Sequence, residues 1–170
     1  MNNQKKILIL NTGGTFNKYY EPISGELRVT NDNHFIENII SKAFKSTNKV
    51  NLLGLIYKDS LELTKSDRIK LVKHINSRDE KKIIIIHGTD TMDITAKYLN
   101  KYISNKQIVL VGSMKPYSIE PVEAVSNLMI GYGFLQSNQK NDIFVSMHGY
   151  VKKYSKIKKN RIKGVFECQS

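Results

Sequence analysis

Ile7-Leu8-Ile9-Leu10 is apolar without alternation and stops at Asn11-Thr12-Gly13-Gly14-Thr15, the pattern of a buried strand that ends in a glycine turn. Residues 16–30 carry Pro22 and Ser24-Gly25 and read as a loop or a small hairpin. From Phe35 the apolar positions Ile36, Ile39, Ile40, Ala43 and Phe44 follow the spacing of an amphipathic helix. Val50 to Tyr57 is strand-like, and Thr64-Lys65-Ser66-Asp67 has the form of a capping box opening a helix that places Ile69, Leu71, Val72 and Ile75 inward. Lys82 to Ile86 contains four consecutive isoleucines, apolar on both faces, and ends in His87-Gly88-Thr89-Asp90. A helix with Met92, Thr95, Ala96, Leu99 and Ile103 on one side follows. Gln107 to Val111 is a strand running into Gly112-Ser113, Pro121 opens a helix to about Leu135, and Ile143 to Met147 is a strand stopping at His148-Gly149. In the basic tail from Tyr150 only Gly164-Val165-Phe166 suggests a further short strand.

Strands without polar alternation, joined by helices, mean a parallel sheet covered on both faces. The expected fold is a doubly wound α/β domain, a mostly parallel sheet with helices on both sides. In such sheets ligands bind beyond the carboxyl ends of the strands. Those ends carry Thr12 to Thr15, Asp59-Ser60, His87 to Asp90 and Gly112 to Lys115, all rich in glycine and hydroxyl or carboxylate side chains.

Composition narrows the class. The 170 residues are 40% hydrophobic and 25% charged, the balance of one globular domain and not of a disordered tail. No apolar run approaches the roughly 20 residues that span a bilayer, and the run at Ile7 is too short for a signal peptide. The single Cys168 excludes an intramolecular disulfide, so a cytoplasmic location is expected. Lys and Arg total 27 against 15 Asp and Glu, a net charge of +12. Most lysines are scattered, but Lys152, Lys153, Lys156, Lys158, Lys159, Arg161 and Lys163 form a stretch with no acid in it. A solvated face and a polyanion-binding surface fit that stretch about equally; no nucleic-acid recognition motif accompanies it, and nucleic acid ranks last among the possible partners.

The glycine turns fit none of the common phosphate-binding patterns. Thr12-Gly13-Gly14-Thr15 lacks the Gly-Lys-Ser/Thr ending of a phosphate loop and the third glycine of a dinucleotide fingerprint. Its glycine backbone still lets a ligand approach closely between two hydroxyls. At His87-Gly88-Thr89-Asp90-Thr91, hydroxyl and carboxylate groups crowd a helix start; one of them can be a helix cap, but not all. His87 is read as satisfying local backbone groups, without a catalytic role. Four histidines and one cysteine show no ligand spacing, so neither a metal nor another cofactor is expected.

Thr12-Gly13-Gly14-Thr15 and His87-Gly88-Thr89-Asp90-Thr91-Met92 together resemble the two signature motifs of the bacterial-type asparaginase/glutaminase family. Val111-Gly112-Ser113-Met114-Lys115-Pro116 is similar to that family's third stretch, and Asp59-Ser60 with Leu63-Thr64 to its substrate-binding loop. The matches come in family order and cover nearly the whole chain. The resemblance implies the fold of the family's larger N-terminal domain and hydrolysis of a side-chain amide of a small amino acid through a threonine acyl-enzyme. On it, Thr15 is the first nucleophile and Thr89 the second hydroxyl. Asp90 orients the hydroxyl and holds the substrate's α-amino group, and Ser60 binds its α-carboxylate. Lys159, with Lys158 as competitor, is the family's lysine; Tyr20, with Tyr19 as competitor, is the tyrosine that assists Thr15. Gly14, Asp59, Gly88 and Ser113 complete the substrate-binding set, with backbone amides at the Gly14 and Gly88 turns as oxyanion donors. Leu61 stands where a polar substrate-contacting residue is common. The chain is expected to be one domain over 1–170 without the family's second domain, and to form a homo-oligomer, a dimer or tetramer. The competing reading is a non-catalytic binder of a small amino acid or acidic metabolite.

Overall fold

The computed structural model describes residues 7–43 and 50–169. Its elements are, in order, β1 (Ile7–Gly13), β2 (Lys18–Glu21), β3 (Glu26–Val29), α1 (His34–Ala43), β4 (Val50–Lys58), α2 (Lys65–Asn76) and β5 (Lys82–Ile86). There follow α3 (Met92–Tyr102), β6 (Gln107–Val111), α4 (Pro121–Ser137), β7 (Asp142–Met147), β8 (Tyr150–Lys153), β9 (Ile157–Asn160) and β10 (Val165–Cys168). The main sheet runs β4-β1-β5-β6-β7-β8. Its first five strands are parallel and β8 is antiparallel to β7.

The unbroken apolar runs are explained by burial on both sides. Leu8, Leu10, Ile83 and Ile85 point to a layer shared with Leu71 and Ile75 of α2 and Ala96 and Leu99 of α3. Their neighbours Ile7, Ile9, Ile84 and Ile86 point the other way, to Ile36 and Ile39 of α1 and Leu128 and Leu135 of α4. Each strand thus feeds both cores through its alternation of side-chain direction. The Thr64 capping box forms as the sequence predicts, with the Thr64 and Asp67 side chains each accepting from the other's backbone N–H.

Two inward assignments change. On α2, Ile69 is 38% exposed, and the buried stripe runs Arg68, Leu71, Ile75. Leu71 and Ile75 stay inward and Val72 packs against the same core, so the change is confined to the first turns, where Arg68, bonded to Leu63, Thr91 and Thr95, is buried and Ile69 is not. On α1, Ala43 is exposed, while Phe44 lies outside the described residues. The segment 16–30 is a hairpin, β2 against β3, and the basic tail is more structured than its polarity suggests: β8 extends the sheet, and β9 and β10 form a two-stranded ribbon. That ribbon is anchored by Ile157 and Phe166, both in the α2–α3 core layer. The acid-free stretch takes its counterions from elsewhere. Lys153 pairs with Asp142, Lys159 and Arg161 approach Asp90, and Lys163 pairs with Glu167.

At the far end of the sheet from the glycine turns, Glu80 accepts two bonds from Arg78 and one from Asn51 of β4. The Arg78 bonds, aided by Asn51 and opposed by burial, hold its carboxyl down at about 2. A depressed folded value stabilises the fold above the ordinary carboxylate range and is lost as the pH falls through it. Wild-type stability in urea should therefore fall between about pH 4.5 and about pH 2 through this group. Glu80→Gln should be less stable at pH 6 and flatter over that acid window; an unchanged slope argues against the assignment.

Candidate functional site

The strand order reverses beside β1: β4 lies on one side of it and β5 on the other. The crevice at such a switch point lies between the ends of β1 and β5, where the two glycine turns lie. They meet directly. A Cβ on Gly14 would overlap the backbone nitrogen and Cα of Gly88, and a Cβ on Gly88 would stand 2.6 Å from both Cβ and Oγ of Ser60. The ends of β1, β4 and β5 therefore converge through two residues without side chains. Gly14 has φ 80° and ψ −176°, a backbone region open essentially only to glycine.

Around this contact, Thr15 is half-buried and heads the short helical turn Thr15–Asn17. Ser60 opens the turn Ser60–Glu62, is 1% exposed, and its hydroxyl has no hydrogen-bond partner. Thr89 is buried. Lys159 Nζ donates to Thr89 Oγ1 and to Asp90 Oδ1, both at 2.8 Å. Of the two candidate lysines, Lys159 makes these bonds; Lys158 lines the same small pocket, with Tyr154, Ile157 and Phe166. Arg161 donates to the Asp90 carbonyl at 2.6 Å, with its other nitrogen 3.6 Å from the Asp90 carboxylate. The ribbon thus brings two cations over the start of α3.

Other expected residues are placed differently. Asp59 caps the Ser60 turn through Leu61 N–H and pairs with Lys18 at 2.5 Å. Burial raises its carboxyl, but the bonds from Lys18 and Leu61 outweigh this and leave it below the ordinary carboxylate value. Ser113 is fully buried, and its hydroxyl donates to the Lys115 carbonyl at 2.6 Å. The Gly14 amide donates to the Lys58 carbonyl at 2.9 Å, so that turn does not offer this donor to a ligand. Tyr20 is 57% exposed, with its hydroxyl toward Gly25 of its own hairpin; Tyr19 lines a groove with Arg28, Thr30 and His34.

His87 is fully buried, with Nδ1 2.7 Å from the Gly88 carbonyl and Nε2 2.8 Å from Thr95 Oγ1. Burial pushes it down to about 4, with the Arg68 cation adding to that and the Gly88 bond and Asp93 opposing. It is neutral at neutral pH and occupied at both nitrogens, which agrees with a role in holding backbone. Arg68 is a residue of this neighbourhood that the hydrophobic pattern does not reveal. The signal for it is a charged residue at the first position of an i, i+3, i+7 buried stripe. Among the described residues no three of His, Cys, Asp and Glu stand together as metal ligands would, and no helix is long and apolar enough to cross a membrane.

A doubly wound sheet with hydroxyl, lysine and carboxylate groups at its switch point is the class that fold and site define. The chain belongs to the asparaginase family: residues 6–167 match the family model described as Asparaginase, N-terminal. It is 33% identical over 100 residues to L-asparaginase 2 of Bacillus subtilis, covering 55% of this chain and 27% of that protein. It is 34% identical over 85 residues to the glutaminase-asparaginase of Acinetobacter glutaminasificans, covering 47% of this chain and 26% of that protein. Among solved structures, the thermostable L-asparaginase from Thermococcus kodakarensis superposes with TM-score 0.80 at 23% identity, over 96% of this chain and 51% of that chain. The chain thus spans about half the length of that structure and under a third of these two curated relatives.

Proposed function

We propose that the chain is an amidohydrolase that releases ammonia from the side-chain amide of a small amino acid, asparagine or glutamine first. The observation that carries this is Lys159, whose Nζ bonds both Thr89 and Asp90 beside the contact of the two family motifs. The activities for which its relatives are named support the substrate class.

In this reading Thr15 Oγ1 attacks the amide carbon. A threonine hydroxyl needs a base to take its proton, and a lysine accepts one only in its neutral form. Lys159 fills that part through Thr89 once the substrate's α-ammonium takes over the Asp90 carboxylate that Lys159 pairs with in the free chain, so that Lys159 is left neutral. The proton passes to the leaving nitrogen, the C–N bond breaks, ammonia departs, and an ester joins the acyl group to Thr15. Water then attacks the ester, giving the side-chain carboxylate and restoring the threonine. Asp90 orients Lys159 and takes the substrate's α-amino group. The buried Ser60 hydroxyl, lacking a protein partner, suits the α-carboxylate. For the oxyanion, planarity of the peptide supplies a donor: the Gly88 carbonyl is turned to His87, so the Thr89 N–H on the same trans peptide points the opposite way.

The test is ammonia release from L-asparagine, L-glutamine and their des-amino analogues, with L-aspartate binding followed by thermal shift. Turnover of at least one amide is expected. Ser60→Ala should raise KM about 10–100-fold, the worth of one hydrogen bond to a charged group. Aspartate at tenfold its Kd should stabilise the fold by ~1.4 kcal/mol. Stabilisation by aspartate without any ammonia would leave the non-catalytic binder as the correct reading; neither response would remove both.

A further inference from the structure

Arg68 is a cation on α2 that is only 9% exposed, and no carboxylate lies within bonding distance in its hydrogen-bond set. Burial lowers its affinity for its proton, with Asp67 and Asp93 opposing. A buried charge held without a direct ion pair is costly unless its donors are satisfied. Arg68 satisfies them on groups that all lead to the proposed site. Nη1 donates to the Leu63 carbonyl at 3.0 Å, just beyond the Ser60 turn. Nη2 donates to Thr91 Oγ1 at 3.3 Å, and Thr91 donates in turn to the Ser60 carbonyl at 2.7 Å. Nε donates to Thr95 Oγ1 at 3.0 Å, next to His87 Nε2.

The direction of each proton in these chains follows from their ends. A guanidinium only donates and a carbonyl only accepts. The Gly88 carbonyl requires a proton on His87 Nδ1, so the neutral ring has a bare Nε2, and the Thr95 hydroxyl must donate to it. The second relay therefore runs Arg68 to Thr95 to His87 to Gly88 in one sense, with no alternative tautomer that keeps all three bonds. The first runs Arg68 to Thr91 to Ser60. Thr91 is itself the N-cap of α3, yet its side chain makes no capping bond. A threonine at an N-cap ordinarily uses its hydroxyl on its own helix; this one is turned to the Ser60 carbonyl instead.

We propose that Arg68 is a positioning residue that sets two parts of the site separately, the Ser60 turn through Thr91 and the Thr89 amide through Thr95, His87 and the Gly88 carbonyl. The assignment rests on the amidohydrolase reading for its kinetic part. It divides the substrate's two anchor points, the α-carboxylate at Ser60 and the reacting carbonyl at the Thr89 N–H, between two arms of one guanidinium.

Isosteric substitutions cut the arms one at a time. Thr91→Val should raise KM, and Kd for L-aspartate, about tenfold while leaving kcat within about threefold. Thr95→Val should lower kcat about 10–100-fold with KM within about threefold, part of the loss seen when an oxyanion donor is removed outright. Thr91→Ser and Thr95→Ser keep the hydroxyls and should restore wild-type values. In the wild-type chain, nitrogen NMR of His87 should show the Nδ1–H tautomer. A general loosening of the fold would move kcat and KM together in both valine variants; that result, or the Nε2–H tautomer in the wild type, overturns the role of Arg68. Complete absence of amide turnover in the wild type would overturn the hydrolase reading, and the aspartate Kd of Thr91→Val would still decide the Ser60 arm.

Discussion

Thr89→Val, Lys159→Met and Thr15→Ala should each lower kcat for ammonia release by ~10²–10⁴-fold or more, the range for losing a proton-transfer partner or nucleophile. The Lys159 variant is the sharpest of the three. Its Nζ is the group that touches both Thr89 and Asp90, and the ribbon that carries it is anchored in the core by Ile157 and Phe166. Methionine keeps the aliphatic stem and removes the nitrogen. The double variant Thr89→Val/Lys159→Met should be little worse than either single one, because groups acting as one unit lose their effect together. Losses that multiply would show that the two residues act in separate steps. Undiminished turnover in Thr15→Ala and Thr89→Val would remove the threonine mechanism altogether.

Gly14→Ala should be the most damaging single-methyl change to the fold. Alanine would be forced into a backbone region open essentially only to glycine, and its methyl group would enter the Gly88 backbone. The strain and the overpacking together are expected to cost roughly 2–5 kcal/mol. Urea unfolding measures the loss. Since the displaced atoms belong to the residue before Thr89, any folded Gly14→Ala protein should also lose activity beyond its loss of stability. A midpoint within experimental error of wild type would mean that the two turns are not in the contact described.

The parallel sheet is legible in the sequence because its strands are buried on both faces. Ile7 to Leu10 and Ile83 to Ile86 have no polar alternation, and only a covered sheet explains that. The strand-end residues are pointed to by the family motifs, and Lys159, with Lys158 as competitor, by the resemblance to the family, which puts a lysine in the segment after the last long strand. The ribbon is not, because β9 and β10 are short and contribute mainly Ile157 and Phe166 to the core; most of the remaining positions are polar or charged and read as a tail. Arg68 is hidden behind Ile69 because a hydrophobic stripe is drawn from apolar residues, and a buried guanidinium with three acceptors defies that rule. Ser113 stands in a family motif, whereas its hydroxyl serves its own turn. Tyr19 and Tyr20 alternate along one strand of an exposed hairpin, so pattern alone does not say which faces inward.

The lysine that would act as base comes from a two-stranded ribbon outside the main sheet, far along the chain from the hydroxyls it serves. The residues that form the crevice are therefore synthesised well before the lysine proposed as their proton acceptor. In the finished protein, lifting that ribbon by a local opening would silence the chemistry while the layers of isoleucine beneath it stayed intact, so heat could inactivate this chain at temperatures below those that melt it.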